Sequence, residues 1–237
     1  MSAPSDSLSE VIAEVVSCRA CPRLVAWREQ TARDKRAAFA SDIYWARPVP
    51  GWGDPRARLL VVGLAPAAHG GNRTGRIFTG DRSGEWLYAS LFRCGLANQP
   101  MSRHRDDGLK LRDVYISAAV KCAPPANKPA PDERDRCFPY LVREARLLPR
   151  LRVVIALGAF AWDAALRLAA QLGGAPIRPR PRFGHGAEAA LAPFTLLGSY
   201  HPSQQNTFTG KLTEAMLDVI WKRSQQLARA RRHRGSG

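Results

Sequence analysis

The chain has 237 residues, 36 Lys+Arg against 20 Asp+Glu, and a formal net charge of +16; 45% of its residues are hydrophobic and 24% charged. This composition excludes a disordered chain, and the length suits one domain, residues 1–237, better than two. The longest apolar runs, at 59–68 and 153–162, reach about half the ~20 residues of a membrane span. The acidic start MSAPSDSLSEVIAEVV lacks the basic end of a signal peptide, so a cytoplasmic, nucleoid-associated protein is expected. Of the basic residues 30 are Arg and 6 are Lys. Surplus positive charge favours a polyanionic partner, nucleic acid ahead of anionic lipid, and says nothing of chemistry.

In chain order, LLVVG at 59–63 reads as a buried strand, and 83–94 as a helix with Trp86, Leu87, Leu91 and Cys94 at helical spacing. VYISAAV at 114–120 and RVVIAL at 152–157 are further strands. A helix follows at 159–172, stopped by Gly173-Gly174. The Pro- and Gly-rich stretch 175–193 reads as a surface excursion. TLLGS at 195–199 is a fourth strand, and a last helix at 212–228 runs into a basic tail, RARRHRGSG, from about 228. Alternating strands and helices predict an α/β fold, a three-layer sandwich about a mostly parallel sheet of four strands. Such sheets bind ligands at the carboxyl ends of their strands, so the loops after Gly63, Val120, Leu157 and Ser199 are the place to look.

Five cysteines are present. Cys18-x2-Cys21 is a metal-binding spacing, and Cys122 and Cys137, in polar or Pro-rich surroundings, can complete four thiolates. Structural zinc and a [4Fe–4S] cluster both fit that spacing. Cys94, on the apolar side of a helix, reads as core filler. The loop GLAPAAHGGNRTGRIFTGD at 63–81 has Gly70 and Gly75 at phosphate-loop spacing. Arg76-Ile77 stands in place of the required Lys-Ser/Thr, which disfavours a nucleotide triphosphatase. What remains is mobile backbone, two Arg, Phe78 and Asp81, suited to phosphates, a stacked base and one placed carboxylate. His201, fixed by Pro202, leaves the fourth strand at the same end.

Together GLAPAAHGGNRTGRIFTGD, KCAPPANKPAPDERDRCFPYL, VVIALGAFA and HPSQQNTFTGKLT resemble the B-type (family 5) uracil-DNA glycosylases, in the family's order and over most of the chain. The resemblance implies an α/β/α fold with a central four-stranded parallel sheet, and excision of uracil and other damaged bases from double-stranded DNA. It implies a [4Fe–4S] cluster on Cys18, Cys21, Cys122 and Cys137, with Cys94 outside. By motif position, Asp81 positions water and stabilises the sugar, and Asn127 is a polar active-site residue. Phe78 stacks on the extruded base, Ala65 lines its pocket, and His201 contacts the base as it leaves. The A-type relatives carry an acid in the first motif and a uracil-pairing Asn, where this chain has Gly63-Leu64-Ala65-Pro66 and Ala118. A tolerant pocket follows.

Arg73, Arg76, Ser203 and Lys211 are the candidate DNA contacts. The absence of Lys from the motif positions implies a monofunctional enzyme, and a monomer with no obligate protein partner is expected. Two other readings stay open at this point: a non-catalytic metal- or cluster-bearing DNA-binding protein, and a small-molecule nucleotide hydrolase.

Overall fold

A computed structural model describes residues 6–230. Most of the expected basic tail, residues 231–237, lies outside them. The N-terminal region forms α1 (Leu8–Ser17) and α2 (Pro22–Asp34). Then come β1 (Trp52–Gly53), β2 (Leu59–Gly63), α3 (Gly71–Thr74), α4 (Arg82–Arg93) and β3 (Val114–Ala118). The second half contains α5 (Pro131–Arg146), β4 (Val153–Leu157), α6 (Ala159–Gln171), β5 (Glu188–Leu191), β6 (Phe194–Ser199), α7 (Gln204–Phe208) and α8 (Glu214–Arg229).

The sheet has six strands in the order β1-β3-β2-β4-β6-β5. The inner four, β3, β2, β4 and β6, are parallel, with Leu59 opposite both Val114 and Val153, and Val153 opposite Thr195. The expected four-stranded parallel sheet is therefore the centre of a mixed one, because β1 and β5 add antiparallel edges. The stretch 175–193 is not only an excursion: its end folds into β5, whose alternation of exposed and buried residues suits an edge.

Successive side chains of a strand point to opposite faces, and this builds the layers. Leu59 and Val61 pack with Leu87 and Leu91 of α4 and with Leu217, Ile220 and Trp221 of α8. Leu60 and Val62 pack on the other face with Leu141 and Val142 of α5 and with Trp162 and Leu168 of α6. Every residue of β2, β3 and β4 is buried, as a sheet covered on both faces requires. Each fully buried Leu or Val contributes ~1.5–3 kcal/mol.

The helix ends follow capping chemistry. Ser7 accepts from the Glu10 amide at 3.2 Å and Thr213 from that of Met216 at 3.2 Å. The final helix runs to Arg229 with Ala228 buried, so the tail starts slightly later than expected. No helix among the described residues is long and apolar enough to cross a membrane.

Candidate active site and cysteine cavity

The loops after β2, β3, β4 and β6 converge on a cleft of about 360 Å³ lined by Ala65, Phe78, Asp81, Asn127, His201 and Ser203, among others. Five residues singled out in the sequence for base handling or catalysis thus come together, with the candidate DNA contact Ser203, where a parallel sheet offers a ligand site.

Asp81 is the N-cap of α4, and its Oδ1 accepts from the Gly84 amide at 3.0 Å. Burial raises its pKa above the usual aspartate value. The Gly84 and Ser83 amides oppose that shift, Glu85 adds to it, and Arg73 opposes it. Its other oxygen lies against Gly70, where an added Cβ would fall 2.0 Å from Oδ2. Gly70 is therefore a glycine because the carboxylate occupies the space of a side chain.

Phe78 is buried yet holds a left-handed backbone, φ +53°. A bulky residue rarely adopts that conformation unless its surroundings impose it. Here the Tyr88 hydroxyl donates to the Ile77 carbonyl at 2.9 Å, and the Phe78 carbonyl lies where a Cβ on Gly84 would be only 1.8 Å away. The ring rests over Gly63 and faces the His201 imidazole, with centroids 5.7 Å apart. Burial pushes His201 down to about 4, so its ring is neutral at physiological pH and can donate one N–H as an uncharged group. The Asn206 side chain donates to the His201 carbonyl at 2.8 Å and ties the loop to α7.

Asn127 stands at the exposed rim with φ +56°, next to Ala126 at φ +52°. Its carboxamide makes no side-chain hydrogen bond to another described residue and is free to hold water. Ala118, aligned with the A-type Asn, is buried beside Gly63 and presents no polar group.

Two expected DNA contacts are corrected. Arg76 is buried and paired with Asp107 at 2.7 Å; it also donates to Ser102 Oγ at 2.7 Å and the Arg105 carbonyl at 3.1 Å. Arg73 donates to Asp42 at 2.5 Å, to the Gly80 and His69 carbonyls at 2.8 Å each, and lies over the Phe39 ring. Both guanidiniums are committed to holding loops, so neither is available to a phosphate. Lys211 is exposed, with its ammonium over the Tyr200 ring, and Ser203 lines the cleft.

Four residues near the cleft were not singled out from sequence. Ser83 and Phe160 line it, and Arg82 reaches from its rim to lie over the ring of Phe208, which is 68% exposed. The available signal was an aromatic in the polar run QQNTFTG. Lys121 was also missed. It is fully buried, and its ammonium donates to Ser117 and Glu144 at 2.6 Å each. Glu144 in turn accepts from the Gly51 amide at 3.0 Å. No sequence pattern marks such a pair, because a lone Lys after a strand usually faces solvent.

Cys18, Cys21, Cys122 and Cys137 line one small cavity with Leu24, Val25 and Pro48. Arg28 donates to Cys122 Sγ at 3.0 Å and the Lys121 amide to Cys137 Sγ at 3.1 Å. Burial pushes the Cys122 thiol up to about 11 and that of Cys137 to about 12. Cys94 lies apart, against the Asp218 carbonyl, and is half-buried rather than enclosed. Ala65 packs against this cavity as well as lining the cleft, so the two are neighbours.

The uracil DNA glycosylase superfamily matches this chain over residues 50–225. A type-5 uracil-DNA glycosylase of Mycobacterium tuberculosis is 57% identical over 94% of this chain and 82% of its own length. One from Thermus thermophilus is 50% identical over 90% and 95%. A type-4 uracil-DNA glycosylase of Archaeoglobus fulgidus is 30% identical over 66% and 62%. The type-5 relatives align over more of the chain at higher identity, in keeping with the missing acid in the first motif and with Ala118. The chain belongs to the type-5 uracil-DNA glycosylases.

Proposed function

We propose that this protein repairs DNA by hydrolysing the N-glycosidic bond of uracil, and of other deaminated or damaged bases, in a duplex. The observation that carries the reading is the convergence of a stacking aromatic, a carboxylate and a neutral imidazole in one cleft. The target base leaves the helix, at a cost of a few kcal/mol that is lowest for a mismatch such as U·G, and stacks on Phe78. The C1′–N bond breaks with its electron pair going to the base, leaving an oxocarbenium-like sugar. His201 donates its N–H to the departing base anion, and the Asp81 carboxylate stabilises the cationic sugar. Water held by Asp81 and Asn127 adds to C1′ and passes its proton to the Asp81 carboxylate, giving an abasic site, and the released base anion takes a proton from solvent. No lysine lines the cleft to form an imine with the sugar, so the strand is left uncut.

The four cysteines suit a [4Fe–4S] cluster: all four line one cavity, and two of their sulfurs accept N–H hydrogen bonds. Bound there, the cluster would supply four metal–thiolate bonds that tie the α1–α2 junction to the start of the 122–130 loop and to α5. The protein works as a monomer on duplex DNA beside the nucleoid. A duplex with one U·G pair, incubated with the protein and treated with alkali, breaks at the uracil; a duplex that stays intact overturns the reading.

A further inference from the structure

We propose that the groove floored by Trp45 and walled by Arg47, Arg103, His104 and Arg105 is a second DNA subsite. It grips duplex phosphates beyond the few base pairs around the lesion, and it rests on the glycosylase reading above. The groove is open, about 680 Å³. The Arg105 and Arg47 guanidiniums lie 4.8 and 5.8 Å from the centroid of one indole, that of Trp45. Neither Arg47 nor Arg103 has a carboxylate partner among the described residues. Arg105 has only its neighbour Asp106, at 3.7 Å and itself exposed. The one acid lining the groove, Asp42, is engaged by Arg73. Cations gathered over one ring repel one another, and a phosphate backbone relieves that repulsion.

The groove is built, not incidental. The loop carrying Arg103-His104-Arg105 is fastened from beneath by the buried Arg76, through Ser102, the Arg105 carbonyl and Asp107. Asp107 also accepts from the amides of Arg103 and His104, at 2.7 and 3.3 Å. Trp45 is fixed by its indole N–H on the Pro48 carbonyl at 3.0 Å and by its amide on the Arg73 carbonyl at 2.9 Å. Gly75, at φ +77°, leaves room for the indole, since a Cβ there would come within 2.9 Å. Trp45 therefore stands on α3, the same short helix that Gly70 precedes beside Asp81, and groove and cleft share one support. Ile43, 95% exposed, gives the groove an apolar edge suited to deoxyribose. An acidic protein segment would satisfy the charge, but the support on α3 that the groove shares with the Asp81 loop favours the enzyme's own substrate.

The test is the double variant Arg47→Ala/Arg103→Ala in the full chain, with its melting temperature confirmed unchanged. Binding to an undamaged long duplex is followed by fluorescence anisotropy against salt. Affinity is expected to fall about tenfold or more at low salt, with the salt slope shallower by about 2, one phosphate per lost charge. Single-turnover excision from a hairpin ending a few base pairs from the uracil stays at the wild-type rate. Unchanged affinity and slope overturn the proposal, and so does a loss of hairpin excision as large as the loss of affinity for the long duplex. Failure of the glycosylase reading would show separately, as no cleavage of the hairpin by the wild-type protein.

Discussion

Gly70→Ala tests the placement of Asp81 without touching its chemistry. The new methyl carbon would lie 2.0 Å from Oδ2 and 2.8 Å from Cγ of Asp81, far inside any permitted contact. The carboxylate has to retreat by roughly 1 Å or more, and a displacement of that size in a reacting group costs about 10²-fold in rate, or ~2.7 kcal/mol of barrier. The retreat also strains the 3.0 Å cap on the Gly84 amide, which is worth ~1 kcal/mol of stability. Single-turnover excision from a U·G duplex reads the rate, anisotropy reads binding, and thermal melting reads the cap. The expected result is a rate about 100-fold lower, near-normal DNA affinity and a melting point lowered by a few degrees. A rate within about twofold of wild type would show that the position of Asp81 does not govern the chemistry.

Other expectations concern charge and the cysteines. Asp81→Asn should abolish most excision without lowering thermal stability above the aspartate range. A carboxyl whose folded pKa is raised by burial destabilises the fold once pH exceeds that pKa, and Asn caps a helix equally well. A large drop in melting temperature would contradict this. His201, pushed down to about 4, should leave no inflection near 6.5 in the pH–rate profile. Its contribution to stability is intact above the unfolded-state pKa of about 6.5 and is lost as pH falls toward about 4. A rate limb near 6.5 that vanishes in His201→Asn would refute the neutral donor. Arg76→Ala should destabilise the fold by ~3 kcal/mol or more in urea titration, because Asp107 is left without its buried partner; a selective loss of DNA affinity at full stability would restore the phosphate role. With the proposed cluster on the four cysteines, Cys18→Ala should bleach its visible absorption and remove its iron while speeding hydrogen exchange in α1 and α2. Loss of iron with unchanged exchange would exclude the tie between these helices and the Cys122 loop.

The central strands were legible because a strand buried on both faces must be apolar throughout, and LLVVG and VVIAL are short runs that nothing else explains. The edge strands were not: Trp52–Gly53 is too short for any pattern, and Glu188–Leu191 alternates inside a segment dominated by Pro and Gly. Helix α5 was hidden by Pro139 in its interior, a residue that disfavours helix by ~3 kcal/mol and is tolerated here through tertiary packing. The cleft residues were readable because their motifs fall just after strands, where a parallel sheet delivers them to one end.

The sequence by itself determined the chemistry on offer: four thiols in metal-binding spacing, one carboxylate and one imidazole at strand ends, and a large positive surplus. Only the tertiary structure decided which charges are already paired inside the fold and which are left at the surface. Arg73 and Arg76 look like phosphate ligands in a glycine-rich loop, yet each is held by a carboxylate from a distant segment, Asp42 for Arg73 and Asp107 for Arg76. Arg47 and Arg103 stay at the surface with no carboxylate partner among the described residues. Local spacing fixes what a side chain can do, whereas its partners come from residues far along the chain, and a guanidinium already satisfied inside the fold has nothing left to offer a phosphate.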